Sequence, residues 1–183
     1  MSMRERILGV ATGLFQTRGI HASGVDTIIA ESGIAKATLY KHFPSKDQLI
    51  VAYLRDKSDR FYEWLNTRLT KSAHAQDKLL QICDLVEQWI VTPEFHGLPF
   101  HTASVEFPDP GHPINQYSAQ LALELQEYLA RFAEAAGVKD ARMLCQQLTM
   151  LFEGAALMER LSPGNGAAKR AREAAHTLIR AAI

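Results

Sequence analysis

The chain has 183 residues, a hydrophobic fraction of 47% and a formal net charge of zero. That composition supports a buried core and excludes a largely disordered chain, and no run reaches the ~18 apolar residues of a membrane span. The zero hides an asymmetry: residues 1–60 hold nine Lys/Arg against six Asp/Glu and the rest eleven against fourteen, so the front third has the sign that phosphate contact requires.

In chain order, Ile7, Val10, Ala11, Leu14 and Phe15 fall at helical spacing, which predicts a helix over 3–18 closed by Gly19. Arg4 and Arg6 ahead of an apolar stretch imitate a secretory leader. However, Glu5 interrupts it, the apolar positions are periodic and no cleavage site follows, so a cytoplasmic chain is expected. Ser23 and Asp26 fit a Ser-x-x-Asp capping pattern opening a second helix over about 25–32, and Gly33 supplies a tight turn. A third helix follows over about 36–43, with Leu39 and Phe43 one turn apart on its buried side. Pro44-Ser45-Lys46 stops it, and Ser45 is placed to cap a long fourth helix over about 46–70 whose inner face carries Leu49, Tyr53, Phe61 and Leu65.

Leu79, Ile82, Val86 and Trp89 mark a fifth helix ending before Pro93. Residues 93–113 hold five prolines and leave room for a short helix across about 99–105. Tyr117, Leu121, Leu125, Tyr128 and Phe132 define a seventh helix closed by Gly137, and an eighth runs over about 140–161. The turn from Ser162 to Gly166 precedes an Ala-rich ninth helix over about 167–182. Strand alternation is absent, so the expected fold is all-α with about nine helices. Cys83 and Cys145 form no ligand pattern and read as core thiols.

Residues 23–46 carry the functional signal. Two short helices joined at a glycine, the second with one apolar and one polar side, form a helix-turn-helix whose second helix can enter the DNA major groove. Lys36, Ala37 and Thr38, at the leading end of that helix, are the expected readers of base edges: Lys36 toward guanine, Ala37 and the Thr38 methyl toward thymine methyls. Tyr40, Lys41, His42, Thr27 and Lys46 are expected at backbone phosphates. For each, the plain alternative is a solvated polar surface.

The eighth helix is apolar over more than one face. One row is Leu144, Leu148, Leu151, Ala155 and Met158, and Cys145, Thr149, Phe152 and Ala156 lie beside it. With Ala171, Ala175 and Leu178 of the last helix, the first row is expected to meet a second copy of the chain in a four-helix bundle. The alternative is that both helices complete the core of one chain.

The run from Gly24 to Ile50 resembles the DNA-binding domain of the TetR family of bacterial transcriptional regulators, over roughly residues 4–56. Its most specific elements are Ile28, Ala30, Glu31 and Gly33, then Thr38-Leu39-Tyr40, His42-Phe43-Pro44 and Lys46. The resemblance implies a DNA-binding domain over 1–46 and an α-helical effector-binding and dimerisation domain over 47–183. One departure is Ala35, where the family frequently carries a small hydroxyl residue that caps the recognition helix; the change either costs the helix up to about 1 kcal/mol or simply removes one phosphate contact.

The effector pocket is expected among helices five to eight, with Trp89, Phe95, Phe100, Phe107, Met150 and Phe152 as apolar lining and His101 or Glu153 as polar groups. His96, His101 and His112 lie near Glu94, Glu106 and Asp109, but their spacings match no metal motif, so no metal and no cofactor are expected. No nucleophile elbow, phosphate loop or paired-carboxylate motif is present, which argues against an enzyme. The expected function is a homodimeric, ligand-responsive repressor, released from a pseudo-palindromic operator in double-stranded DNA by a small molecule. The alternatives are a DNA-binding dimer without an effector and a ligand-binding protein that has lost DNA binding.

Overall fold

The computed structural model describes residues 1–69 and 74–183. Among the described residues the chain is helical without strands: α1 (Met3–Arg18), α2 (Val25–Ser32), α3 (Lys36–His42), α4 (Lys46–Arg68), α5 (Ala75–Ile90), α6 (Pro99–Glu106), α7 (Pro113–Ala135), α8 (Ala141–Leu161) and α9 (Ala167–Ala182). The expected end of the fourth helix near residue 70 lies outside the described residues. Two compact units form. One takes residues 1–60 and 99–120, and the other 61–98 and 121–183, so α4 and α7 each contribute to both. The 1–46 segment lies wholly in the first unit.

The first unit is built on Ile7, Ala11, Leu14 and Phe15 of α1, with Ile28, Leu39, Phe43 and Leu49 buried as well. The α1 start has a capping box that the sequence reading passed over: Ser2 Oγ accepts from the Glu5 N–H, and Glu5 accepts from the Ser2 N–H. The box expected at α2 is not formed. Gly24 is the N-cap and has no side-chain cap, while Ser23 is fully buried with its hydroxyl donating to Gly19 O at 2.7 Å. Burial and a nearer carbonyl outweigh the local capping pattern there. At the other end of α2 the turn is as expected: Gly33 sits at φ 61°, and its N–H and that of Ile34 return to Ala30 O and Ile29 O. This is a Schellman closure, and its left-handed conformation favours glycine. Ser45 Oγ accepts from the Gln48 N–H and opens α4 as expected.

The second unit packs α5, α8 and α9 together with the later halves of α4 and α7 around Leu65, Leu79, Ile82, Cys145, Leu148 and Ile179. Alanines permit the close approach: Ala155 with Ala167 and Ala171, and Ala156 with Ala168. Arg172 of α9 pairs with Glu87 of α5 at 2.6 Å, and His176 lies 3.1 Å from Asp84. The α8–α9 turn is fixed by Glu159, a carboxylate only 6% exposed. One oxygen accepts from Gly164 N–H at 2.9 Å and the other from Ala168 N–H at 3.2 Å, supplying the cap that Gly166 cannot give α9. Both cysteines are free and buried.

Removing the Glu159 carboxylate strands two N–H groups, one of them buried. Glu159→Ala should therefore lower the unfolding free energy by about 2 kcal/mol, measured by urea denaturation; unchanged stability would contradict this account of the α8–α9 turn.

Candidate functional site

The polar side of α3 is presented outward by burial of its opposite side. Leu39 and Phe43 are withdrawn from solvent, and Arg4 of α1 lies over the Phe43 ring at 4.9 Å. Between these anchors Lys36, Ala37, Tyr40 and Lys41 are exposed, and Thr38 and His42 are half-buried at the margins. Lys36 Nζ lies 3.7 Å from Asp26 of α2, an exposed pair that a phosphate or base edge could displace at little cost. Thr27 is half-buried in the first turn of α2. Ala35 is the N-cap of α3 and makes no side-chain cap, as its residue type dictates.

Lys46 differs from its expected role at a phosphate. Its amine turns inward and donates to Ile20 O at 2.7 Å, and burial lowers its pKa from the ordinary lysine value, opposed by the Glu106 and Asp47 charges. It therefore holds the α1–α2 loop. The partner in that task is Glu106, the last residue of α6, whose two carboxylate oxygens accept from the N–H groups of Ile20 at 2.9 Å and His21 at 2.7 Å. His21 Nε2 also lies 2.8 Å from Glu106 O, and its ring stacks on Phe107 at 4.4 Å. The Glu106 charge reaches Tyr53 of α4 as well, whose hydroxyl is pushed up to about 12 by burial first and by that carboxylate second. Gly19, at φ 90°, lets the loop pass close: a Cβ there would lie 3.4 Å from Glu106 Oε1. None of this clasp was expected from sequence, because Glu106 is 85 positions from His21 and sits in a proline-rich stretch without periodicity.

In the second unit a cavity of about 50 Å³ lies among α4, α5, α7 and α8 and the residues leading to α6. Of the residues named from the sequence as pocket lining, Trp89, Phe152 and Glu153 line it. Phe95 is one ring away, edge-on to Trp89 at 4.8 Å, and does not line it. Met150 points the other way and is 65% exposed, since it stands half a turn round α8 from Leu148 and Phe152. Phe100, His101 and Phe107 belong to the first unit, where Phe107 packs between His21 and His112. The lining that the sequence reading missed is aliphatic: Leu65, Leu79, Ile82, Leu125, Leu129 and Leu148 among others. Such residues carry no signal that separates a cavity wall from ordinary core.

Most of the residues expected to meet a second copy are taken up by this chain's own core. Leu144, Leu148, Ala155, Ala171 and Ala175 are buried within this chain, and Leu151 and Leu178 pack partly buried against the same core. Met158 alone of the eight is exposed. The apolar stripe left open on α8 is Met143, Met150, Leu157 and Leu161, spaced by seven, seven and four residues on one face. Among the described residues, no group of three His, Cys, Asp or Glu side chains could hold a metal ion. His112 Nδ1 accepts from Ile114 N–H, and Asp109 accepts from Gly111 N–H, which is turn chemistry. No helix among the described residues is long and apolar enough to cross a membrane.

Comparison with known proteins agrees with this geometry. Residues 7–53 match the family model for bacterial regulatory proteins of the tetR family, the segment from α1 into α4. The transcriptional regulator YjdC of Escherichia coli is 25% identical over 152 residues, 82% of this chain and 80% of that protein. LmrA of Bacillus subtilis is 31% identical over 117 residues, 62% of this chain and 61% of that protein. A TetR-family transcriptional regulator from Streptomyces coelicolor superposes with a TM-score of 0.90 at 28% identity, covering 98% of this chain and 89% of that one.

The clasp makes a specific expectation. Glu106→Ala should cost about 2 kcal/mol of stability and release the Ile20 and His21 amides to rapid hydrogen exchange; amides as protected as in the wild type would show that the carboxylate does not hold the loop. A helix-turn-helix with an outward polar face, matched by a family model, carries the identification: residues 7–53 are a DNA-binding domain of the tetR family of bacterial regulatory proteins, and over most of its length the chain is similar to transcriptional regulators.

Proposed function

We propose that the chain is a homodimeric repressor that reads a pseudo-palindromic operator with α3 and leaves it when a small molecule enters the cavity of the second unit. The observation that carries this is the α3 surface: Lys36, Ala37, Tyr40 and Lys41 stand out from a helix pinned by Leu39 and Phe43. Lys36, Ala37 and Thr38 take the base edges. Tyr40, Lys41 and His42, with Thr27 at the α2 start, take phosphates.

Dimerisation would place two such helices one DNA turn or a small multiple apart. TetR regulators form dimers, and the open stripe Met143, Met150, Leu157 and Leu161 offers α8 as the surface that a second copy covers. Four large apolar side chains on one face of one helix are too many to leave in water without a reason.

Two continuous stretches of chain run from the cavity to the α1–α2 clasp, and these are the route proposed for release. α4 contributes Phe61 and Leu65 to the cavity and Lys46 to the clasp. Leu98 lines the cavity and directly precedes α6, which ends in Glu106. A ligand that displaces Phe61 or Leu98 would pull on the Ile20–His21 segment of the loop that leads into α2. Reciprocally, operator binding must weaken ligand binding by the same factor.

The cavity volume supports a second reading. At about 50 Å³ it holds a few waters, well short of the roughly 300–1,000 Å³ of an ordinary ligand pocket. A DNA-binding dimer without an effector fits that volume as it stands, whereas the effector reading requires the aromatic walls to part.

A mobility-shift assay on duplexes selected from a random library, repeated with a small-molecule panel, tests the proposal. A palindromic selected sequence and release by at least one compound are expected; a non-palindromic, non-releasable complex would leave the effector-free regulator or none. Lys36→Ala should lose about 1–3 kcal/mol of discrimination at one base pair, whereas Tyr40→Phe should weaken all sequences alike. Leu157→Glu should give a monomer in light scattering and a large loss of operator affinity, and a dimer of undiminished affinity would place the interface elsewhere.

A further inference from the structure

The start of α1 carries charge that the chain leaves without a counter-charge. Residues 1–60 hold nine Lys/Arg. Arg18, Lys36, Arg55 and Arg60 pair with carboxylates, and Lys46 turns onto Ile20 O. Among the described residues, Arg4, Arg6, Lys41 and Lys57 have no carboxylate partner. Lys57 is half-buried on α4, and Lys41 stands on α3 itself. Arg4 and Arg6 are exposed, and each lies at one end of α3. The Arg4 guanidinium is 4.9 Å from the centroid of the Phe43 ring, directly after that helix. Arg6 reaches the Gly33 turn ahead of it, where a Cβ would lie 3.4 Å from Nη2. Residues two apart leave a helix on different sides, so α1 can send one guanidinium each way. Glu5, between them in sequence, turns back to accept from the Ser2 N–H.

Resting on the reading of α3 as the helix that enters the major groove, we infer that Arg4 and Arg6 are DNA-binding residues, each taking a backbone phosphate beside one end of α3. The helix has seven residues, a length of about 10 Å, against a major groove roughly 12 Å wide. Cations at its two ends are therefore placed for the phosphate walls rather than for base edges. A guanidinium offers a planar fork of donors that matches phosphate oxygens. Stacking on Phe43 holds the Arg4 fork in place before DNA arrives, which lowers the ordering cost of the contact. Neither arginine has an ion pair to give up first, as Lys36 has with Asp26. The helix-turn-helix itself offers fewer phosphate contacts than its sequence suggests, since Ala35 has no hydroxyl and Lys46 faces inward. Both arginines precede residues 7–53, the segment matched by the family model, so these contacts are additional to the shared helix-turn-helix.

The test is the salt dependence of binding by the full chain to a selected duplex and to a scrambled one, read by fluorescence anisotropy. Each neutralised phosphate contributes roughly −0.9 to the slope of log affinity against log salt. Arg4→Gln and Arg6→Gln should each make the slope shallower by about that amount and weaken both duplexes by the same factor. Arg4→Lys and Arg6→Lys keep the charge and should keep the wild-type slope. Circular dichroism checks that each variant is folded. Arg6 touches only a turn, so Arg6→Gln carries the test should loss of the Phe43 stack unfold Arg4→Gln. Gln variants with the wild-type slope, or with a loss confined to the selected duplex, would overturn the inference and leave the α3 reading standing. Equal loss of slope in the Lys and Gln variants would trace the effect to the fold and overturn it too. A flat wild-type dependence with no preference between duplexes would overturn the α3 reading and this inference together.

Discussion

Burial of Leu39 and Phe43 is the constraint on which the rest of this molecule depends. α3 has seven residues and no side-chain cap at Ala35, and a helix so short does not persist alone in water. Its conformation comes from the two side chains it buries and from the Schellman turn at Gly33, which delivers the chain at the required angle. The outward face is a consequence of the inward one. Once Leu39 and Phe43 are fixed, helical geometry leaves Ala37, Tyr40 and Lys41 on the solvent side, and Lys36 is exposed at the open first turn of the helix.

The first unit is then more than a helix-turn-helix. Residues 99–120 join it, and their contribution is concentrated at Glu106, whose carboxylate takes two N–H groups of the α1–α2 loop while Lys46 takes the carbonyl between them. A loop whose backbone groups are satisfied by α4 and α6 is set by the position of those helices. Both helices lead along the chain to residues that line the cavity.

Much of this was legible in the sequence, and the exceptions share a cause. Helix boundaries followed from periodicity and punctuation: Gly33, Ser45, Gly137 and the Ser162–Gly166 turn are local signals with local effects. The Ser23 cap failed because tertiary burial gave its hydroxyl a different partner at Gly19. Glu106 was invisible for the same reason, its partners being far away in the chain. At α8 the all-round apolarity was legible, but not which of its faces the chain's own core would take. Leu144 and Leu148 face the chain's own core, and the open stripe begins one residue earlier, at Met143. A helix that is greasy on every side does not announce which side its own chain will take. The pocket was half legible, since aromatic residues such as Trp89 and Phe152 stand out and leucines do not.

The central claim is that the α3 surface engages DNA through several phosphates and a few base edges, and its most direct test is the salt dependence of binding to a selected duplex and to a scrambled one. The logarithm of affinity should fall linearly with the logarithm of salt concentration, with a slope of roughly −0.9 for each phosphate neutralised, several phosphates in all, and the selected duplex should remain the tighter binder at every salt concentration. A flat dependence with no preference between the two duplexes would contradict the account.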